Sequence, residues 1–518
     1  TTLPKVLLFP PPNDDEKEGQ PATGLTTKFD AYNKILNDQQ KRAVLAIMNR
    51  TNRAASASMP LPAYIVFGPP GTGKTVTVVE AIKQLYKNMG GLRLLACAPS
   101  NSAADLFIQH LDKFVDRIHM FRLNAFQRNN DDVPDVVKAY SDYNDKTGVF
   151  DIPDNDTLKS YRIVVCTCMT AGQLYALGLP ANHFTHIVID EAGQAKEPET
   201  LIPLAGLIRP VDRANPRTKA QIQPVVVLAG DPQQLGPVIR SPAAKQLGLE
   251  LSLLERLANA PLYQRHKTHY AHTGHYNSDV VTKLLHNYRS HPKIIELPSR
   301  LFYYDELIPS ALKSERESLC KWQKLPNPNC PVLFHAVEGA DMREGCPLAD
   351  QSGSGNSPSW FNPLEASQVH RYIEGMHLYL MRIKGTGLSA DQIGVVAPYR
   401  KQVVEKLRTL LRAKGMETTK VGSVEEFQGQ ERRVIIISCV RSSKDFLEFD
   451  HQHNLGFLRN PKRFNVAVTR AKQLLIVVGN PHVLLCDPHW SALIRFCQKN
   501  NSCVGTPIPA ANEPVKGE

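Results

Sequence analysis

Residues 68–75 read GPPGTGKT, and Asp190 and Glu191 stand side by side at the end of the apolar run HIVI. The first stretch fits the phosphate-binding spacing G-x-x-x-x-G-K-[ST]. Its glycines let backbone amides approach phosphate oxygens, Lys74 can reach the β and γ phosphates of a nucleoside triphosphate, and the Thr75 hydroxyl can ligate magnesium. Gly68, Pro69, Pro70, Gly71, Thr72, Gly73, Lys74 and Thr75 are therefore candidate nucleotide-binding residues, flanked by the apolar YIVF before and a helical stretch after. Two acids after an apolar run could simply cap a helix. With a phosphate loop in the same chain another role fits better. Asp190 would share the magnesium with Thr75, and Glu191 would orient and deprotonate the water that attacks the γ phosphate. The metal offsets the charge of one acid and lets them sit together.

A third apolar run ends in VVVLAGDPQQLGP, where Gln234 could sense the γ phosphate; taken alone, Gly-Asp-Pro is also an ordinary turn. Hydrolysis profits from positive charge at the transition state, and an arginine finger is worth roughly 10³ to 10⁵ in rate. Arg289 in HNYRSHP and Arg470 in NVAVTRAK are the candidates, although spacing does not separate them from surface arginines.

The elements that must position these residues are short apolar runs: YIVF (64–67), LLACA (94–98), IVVC (163–166), HIVI (186–189), VVVLA (225–229), IGVVA (393–397), VIII (434–437) and LLIVV (474–478). They lack period-two alternation, as parallel strands buried on both faces do, and helical stretches such as VTVVEAIKQLYKNM separate several of them. The pattern is doubly wound α/β, an architecture that binds ligands at the carboxyl ends of its strands. At 518 residues the chain exceeds one hydrophobic core, so two sheet domains are expected. Three stretches break the rhythm: 10–28 reads as a linker, 124–160 as an insertion in the first sheet domain, and 340–360 as a surface loop. Polar LYQRHKTHYAHTGHYNSD (262–279) marks the expected domain boundary, and no internal repeat is evident.

Apolar content of 42% and charged content of 21% are ordinary for a globular protein, and a net charge of +11 by itself only permits nucleic-acid binding. The ten cysteines form no C-x-x-C pair, which argues against a zinc framework and for reduced, mostly buried thiols in a cytosolic or nuclear protein. The longest apolar runs fall far short of the ~18 residues that a membrane span needs. The chain opens at Thr1 rather than Met, with no charged-then-apolar signal, as expected of a trimmed sequence.

GPPGTGKT, APSNSAAD, DEAGQA, GDPQQLGPV, NYRSHP, VGSVEEFQGQE and RFNVAVTRAK occur in one order, and together they resemble superfamily 1 helicases of the up-frameshift type over about residues 33–505. LPSRLFYYDEL, SPSWFNPLEA and NPKRFNVAVTRAK resemble more closely the Moloney-leukaemia-virus-ten-like branch that includes Armitage, a group acting in RNA silencing. The resemblance implies two RecA-like domains of P-loop NTPase type, 33–275 with the insertion at about 124–160 and 276–518, after a linker or stalk remnant at 1–32. It implies ATP and Mg2+ as cofactors and 5′ to 3′ movement on single-stranded RNA.

By the same resemblance Gln40 in NDQQKRAV would read the adenine edge and Tyr288 would stack on the base. Gly429 and Glu431 would approach phosphate and ribose, with Arg289 and Arg470 on the γ phosphate. RNA would meet Pro99, Ser100 and Asn101, Thr167 and Ser423, with Tyr399 and Arg400 as further candidates; each of these could equally serve a structural turn. Small polar groups at strand ends grip successive phosphates without reading bases. An ATP-gated RNA clamp and a DNA helicase share these motifs and stay open as alternatives. A cytoplasmic monomer working with small-RNA silencing proteins is the expected setting. The resemblance implies a small β-barrel and stalk, for which the 36 residues before NDQQ would be too few unless the barrel was cut away.

Overall fold

The computed structural model describes residues 4–11, 28–57, 59–211, 214, 221–343, 360–382, 390–399, 402–443 and 460–509. Most of the stretch 10–28, much of 340–360, and Arg400 lie outside the described residues. The chain forms two compact units, Thr1–Pro232 with Gly236–Leu285, and Gln233–Leu235 with His286–Glu518.

In the first unit β1 (Tyr64–Phe67), β2 (Leu94–Ala98), β3 (Met120–Arg122), β4 (Ile163–Thr167), β5 (His186–Ile189), β6 (Val225–Gly230) and β7 (Val281–Lys283) form one sheet in the order β3-β4-β2-β5-β6-β1-β7. Every pairing is parallel. Strands β1, β2, β5 and β6 are buried at every position, which is the physical reason for their unbroken apolar runs. Helices α1 (Asp38–Ser56), α2 (Lys74–Asn88) and α3 (Asn101–Leu111) contribute Val44, Ile47, Val78, Ile82, Phe107 and Ile108 to its core. The order matters for function. It sets the carboxyl ends of β5, β6 and β1 side by side, and those of β4 and β2 side by side next to them.

The second unit repeats the plan. Strands β8 (Val332–Ala336), β9 (Ile393–Val396), β10 (Lys420–Gly422), β11 (Arg432–Ser438), β12 (Ala471–Gly479) and β13 (Cys503–Gly505) run in the order β10-β9-β11-β12-β8-β13, again all parallel. Successive residues of β11 point to opposite faces. Ile435 and Ile437 join Phe464 and Trp490 of helices α6 (Pro461–Val468) and α7 (Pro488–Lys499), together with α4 (Pro292–Phe302). Val434 and Ile436 join Val369, Ile373 and Met376 of α5 (Pro363–Arg382) on the other face. A strand that feeds two cores must be apolar throughout. Both sheets are the doubly wound parallel α/β units that the apolar runs predict.

Two expectations change. The first unit reaches Leu285 rather than 275, because β7 pairs with β1 and the Leu284 amide donates to the Phe67 carbonyl at 2.8 Å. The polar stretch 262–279 is thus a covering of the first unit, anchored by buried Leu262, Tyr263 and Tyr276, with the Tyr263 hydroxyl donating to the Ala63 carbonyl. Gln233–Leu235 belong to the second unit, where Leu235 packs on the core and the Gln233 carbonyl accepts from Asn465 Nδ2 at 2.9 Å. The 124–160 insertion lies between β3 and β4 and lends Val133, Val137, Tyr140 and Phe150 to the main core.

Candidate nucleotide and nucleic-acid site

The loop after β1 enters α2 without a side-chain cap. Its N-cap is Gly73, left-handed at φ +79°, and Gly71 is left-handed at φ +70°. These conformations are glycine's, and the uncapped first turn leaves its amides open to an anion. The Gly68 amide donates to the Gly230 carbonyl at 3.0 Å, Thr72 Oγ1 donates to the Pro69 carbonyl at 2.7 Å, and Lys74 Nζ donates to the Gly68 carbonyl at 3.0 Å. The loop is tied to β6 and to itself. Gln40 adds a strut: its Oε1 accepts from the Asn37 amide and its Nε2 donates to the Thr72 carbonyl at 3.2 Å. The same residue therefore completes the capping box of α1 and touches the phosphate loop.

Asp190 and Glu191 cap no helix. They end β5, and the next helix begins at Glu197. Thr75 Oγ1 donates to Asp190 Oδ2 at 2.6 Å, and the Glu191 amide donates to Asp190 Oδ1 at 2.9 Å. Glu191 is itself left-handed, φ +52°, a conformation that costs a non-glycine residue on the order of 1 kcal/mol and sends its side chain off the strand axis. Its Oε2 accepts from Gln194 Nε2 at 2.9 Å. Burial first, and the neighbouring Glu191 charge second, push the Asp190 carboxyl up to about 6; the Thr75 hydroxyl and Lys74 pull the other way. A buried acid beside a hydroxyl, next to open amides, is a hard-oxygen pair suited to magnesium, and Thr75 and Asp190 would hold that ion. Among the described residues there is no group of three or more His, Cys, Asp or Glu that could hold a metal. The remaining ligands would be phosphate and water.

In the second unit Arg289, Glu431, Arg470 and Lys472 come together. Arg289 Nη2 donates to Glu431 Oε2 at 3.0 Å, and Lys472 Nζ lies 3.4 Å from Oε1. Burial raises the Glu431 pKa, but Arg289, Lys472 and Arg470 outweigh it and leave the carboxyl below its ordinary value. Arg470 Nη2 donates to Gln234 Oε1 at 2.8 Å, which brings two of the candidate γ-phosphate residues into direct contact. Gly429 is left-handed at φ +67° with open space where a Cβ would stand, so the backbone rather than crowding calls for glycine there. The Tyr288 ring lies at 21° to the His286 imidazole, centroids 6.2 Å apart, and is 42% exposed.

The strand-gripping candidates divide. Ala98 pairs with Thr167, so Pro99, Ser100 and Asn101 leave β2 beside Thr167 at the end of β4. Ser100 Oγ caps α3 by accepting from the Ala103 amide, and Thr167 Oγ1 lies 2.7 Å from Thr170 Oγ1. Ser423 follows β10 and its Oγ accepts from the Glu426 amide. Tyr399 is a correction: its ring is 2% exposed and packed with Trp360 and Val440, so it is a core residue and presents no face to a base. Sequence reasoning also passed over Lys472 and Lys283. The Lys283 ammonium stands 5.5 Å over the Phe67 ring at the end of β1, and lysine in a short strand carries no signal of such a place.

AAA-domain family models match residues 35–146, 146–242 and 249–482. The chain is 47% identical over 491 residues to the RNA helicase Mov10l1 of Homo sapiens, covering 94% of this chain and 37% of that protein. It is 46% identical over 487 residues to the putative helicase mov-10-B.1 of Danio rerio, covering 92% and 44%. It is 39% identical over 505 residues to the probable RNA helicase armi of Drosophila melanogaster, covering 93% and 40%. The chain thus spans less than half the length of these relatives.

Proposed function

Since the chain belongs to the up-frameshift-type superfamily 1 helicases, in the branch that holds Mov10l1, MOV-10 and Armitage, we propose that it hydrolyses ATP to move 5′ to 3′ along single-stranded RNA. The observation that carries the hydrolytic reading is the 2.6 Å contact of Thr75 with Asp190 beside the uncapped start of α2. Lys74, released from the Gly68 carbonyl, would bind β and γ phosphate oxygens. Glu191 would accept a proton from the attacking water, and Arg289 and Arg470 would meet the charge that develops on the γ phosphate. Magnesium on Thr75 and Asp190 would supply Lewis-acid polarisation of the phosphate oxygens. Gln40 would select adenine, Tyr288 would stack on it, Gly429 and Glu431 would line the phosphate and ribose, and Gln234 would report the γ phosphate to Arg470.

RNA would lie over Pro99, Ser100, Asn101 and Thr167 in the first domain and Ser423 in the second. The register of Ala98 with Thr167 supports this, because it sets two polar strand ends at neighbouring positions for successive phosphates. The resemblance to the silencing branch extends the proposal to remodelling of ribonucleoproteins with small-RNA silencing proteins in the cytoplasm. The test is unwinding of duplexes with 5′ or 3′ single-stranded overhangs, of RNA and of DNA. Opening from a 5′ RNA overhang is expected. Opening only from 3′ overhangs would refute the polarity, equal activity on DNA would refute the preference for RNA, and ATP turnover without unwinding would favour a clamp.

A further inference from the structure

Behind the strand grip of the first domain lies a buried ionic cluster that the proposed reaction does not use. Asp105 on α3 accepts from two arginines. Arg122 Nε, at the end of β3, donates to Oδ1 at 2.9 Å; Arg128 donates through Nη1 to Oδ1 at 3.0 Å and through Nη2 to Oδ2 at 2.6 Å. The three side chains are 0%, 6% and 4% exposed for Arg122, Arg128 and Asp105. Arg122 then reaches forward, donating through Nη2 to Asn101 Oδ1 at 3.0 Å.

A guanidinium has only donors, so Arg122 settles which way the Asn101 amide faces: Oδ1 inward, and Nδ2 with its two N–H groups on the opposite side. Among the described residues Nδ2 has no acceptor, and it is not one of the buried polar atoms. A pair of solvent-facing donors beside the cap of α3 suits a phosphodiester oxygen. Arg128 comes from the 124–160 insertion and is braced there by Asn124 Oδ1 at 2.8 Å; Asn124 Nδ2 in turn donates to Ser141 Oγ at 2.9 Å.

We propose that Asp105, Arg122 and Arg128 are positioning residues that fix the Asn101 amide as a donor to the nucleic-acid backbone and tie the strand grip to the insertion. The proposal rests on the reading that RNA crosses the carboxyl ends of β2 and β4. Among the described residues Arg128 is the sole partner of Asp105 Oδ2. Without it the carboxylate can turn about its own axis, the Arg122 fork loosens, and the Asn101 amide is free to flip.

The test is ATP turnover titrated with a single-stranded oligouridylate. Arg128→Ala is expected to raise the RNA concentration for half-maximal stimulation about tenfold, as loss of one oriented hydrogen bond would. RNA-free turnover and the rate at saturating RNA stay at wild-type values. Arg128→Lys keeps the charge but cannot fork both carboxylate oxygens, and is expected to show the same rise. Asn101→Ala raises it equally, and the double variant Asn101→Ala/Arg128→Ala no further, since one device is removed once. Wild-type behaviour of Arg128→Ala, full rescue by Arg128→Lys, or additive losses in the double variant would each overturn the proposal. Turnover that ignores RNA in the unaltered chain would instead refute the RNA reading on which it rests.

Discussion

Gly68→Ala is expected to weaken nucleotide binding by way of Lys74. A Cβ at position 68 would stand 1.9 Å from Lys74 Cγ, 2.6 Å from its Cδ and 3.2 Å from Thr72 Oγ1. The Gly68 backbone cannot yield, because its amide is bonded to the Gly230 carbonyl at 3.0 Å. Cγ lies near the root of its side chain, so Lys74 must change rotamer and leave the line of the phosphate loop. A charge-assisted contact of lysine with phosphate is worth about 1.5–3 kcal/mol, or roughly 10- to 150-fold in affinity. Calorimetric titration with ATP and with AMP reads the effect. ATP should lose that factor and AMP little, since Lys74 serves the outer phosphates. In a Lys74→Ala background the clashing atoms are gone, and adding Gly68→Ala should change ATP affinity by less than about threefold. Undiminished ATP affinity in the single variant, or a full second loss in the double, would refute this reasoning.

Gln40→Ala removes one half of the capping box of α1 and the donor to the Thr72 carbonyl. It should cost about 1 kcal/mol of stability and bring ATP and GTP turnover toward equality, read from the ratio of the two rates. Glu365 predicts a pH dependence in the second domain. Burial pushes its carboxyl from 4.5 up to about 8, against the hydrogen bonds it accepts from Ser438 Oγ and the Val440 amide. The folded chain therefore keeps a proton that the unfolded chain gives up. This contribution is whole below about pH 4.5, falls by about 1.4 kcal/mol per pH unit above that, and is spent beyond about pH 8. Tryptophan fluorescence melts between pH 5 and 8 report it, because Trp322, Trp360 and Trp490 all belong to the second domain. Glu365→Gln should flatten that slope.

The eight apolar runs read from the sequence are all strands, because each is buried on both faces and carries its pattern in composition alone. The short strands at Met120–Arg122, Val281–Lys283, Lys420–Gly422 and Cys503–Gly505 escaped, since three residues held in place by a neighbour's register have no pattern of their own; Val332–Ala336 escaped too, because His335 interrupts its apolar run. Val281–Lys283 is the costly omission, because it moves the domain boundary. The phosphate loop carries its pattern in spacing, because its glycines, Lys74 and Thr75 lie at fixed offsets between strand and helix, whereas the contact of Thr75 with Asp190 spans 115 residues and shows only in the fold. Tyr399 was not: an aromatic after a strand looks alike whether it faces solvent or Trp360. The Arg122–Asp105–Arg128 cluster was also hidden, because charged residues in sequence suggest surface, and only the packing of the 124–160 insertion shows them enclosed.

In the proposed reaction Glu191 activates water for hydrolysis of a nucleotide held by the phosphate loop, in a chain driven by single-stranded RNA. Single-turnover hydrolysis of ATP with and without saturating RNA, in the unaltered chain and in Glu191→Gln, tests it most directly. RNA is expected to accelerate the unaltered chain, and the variant to bind ATP undiminished yet hydrolyse it at least about 100-fold more slowly. Hydrolysis at an unchanged rate in Glu191→Gln, or a rate in the unaltered chain that does not respond to RNA, would contradict it.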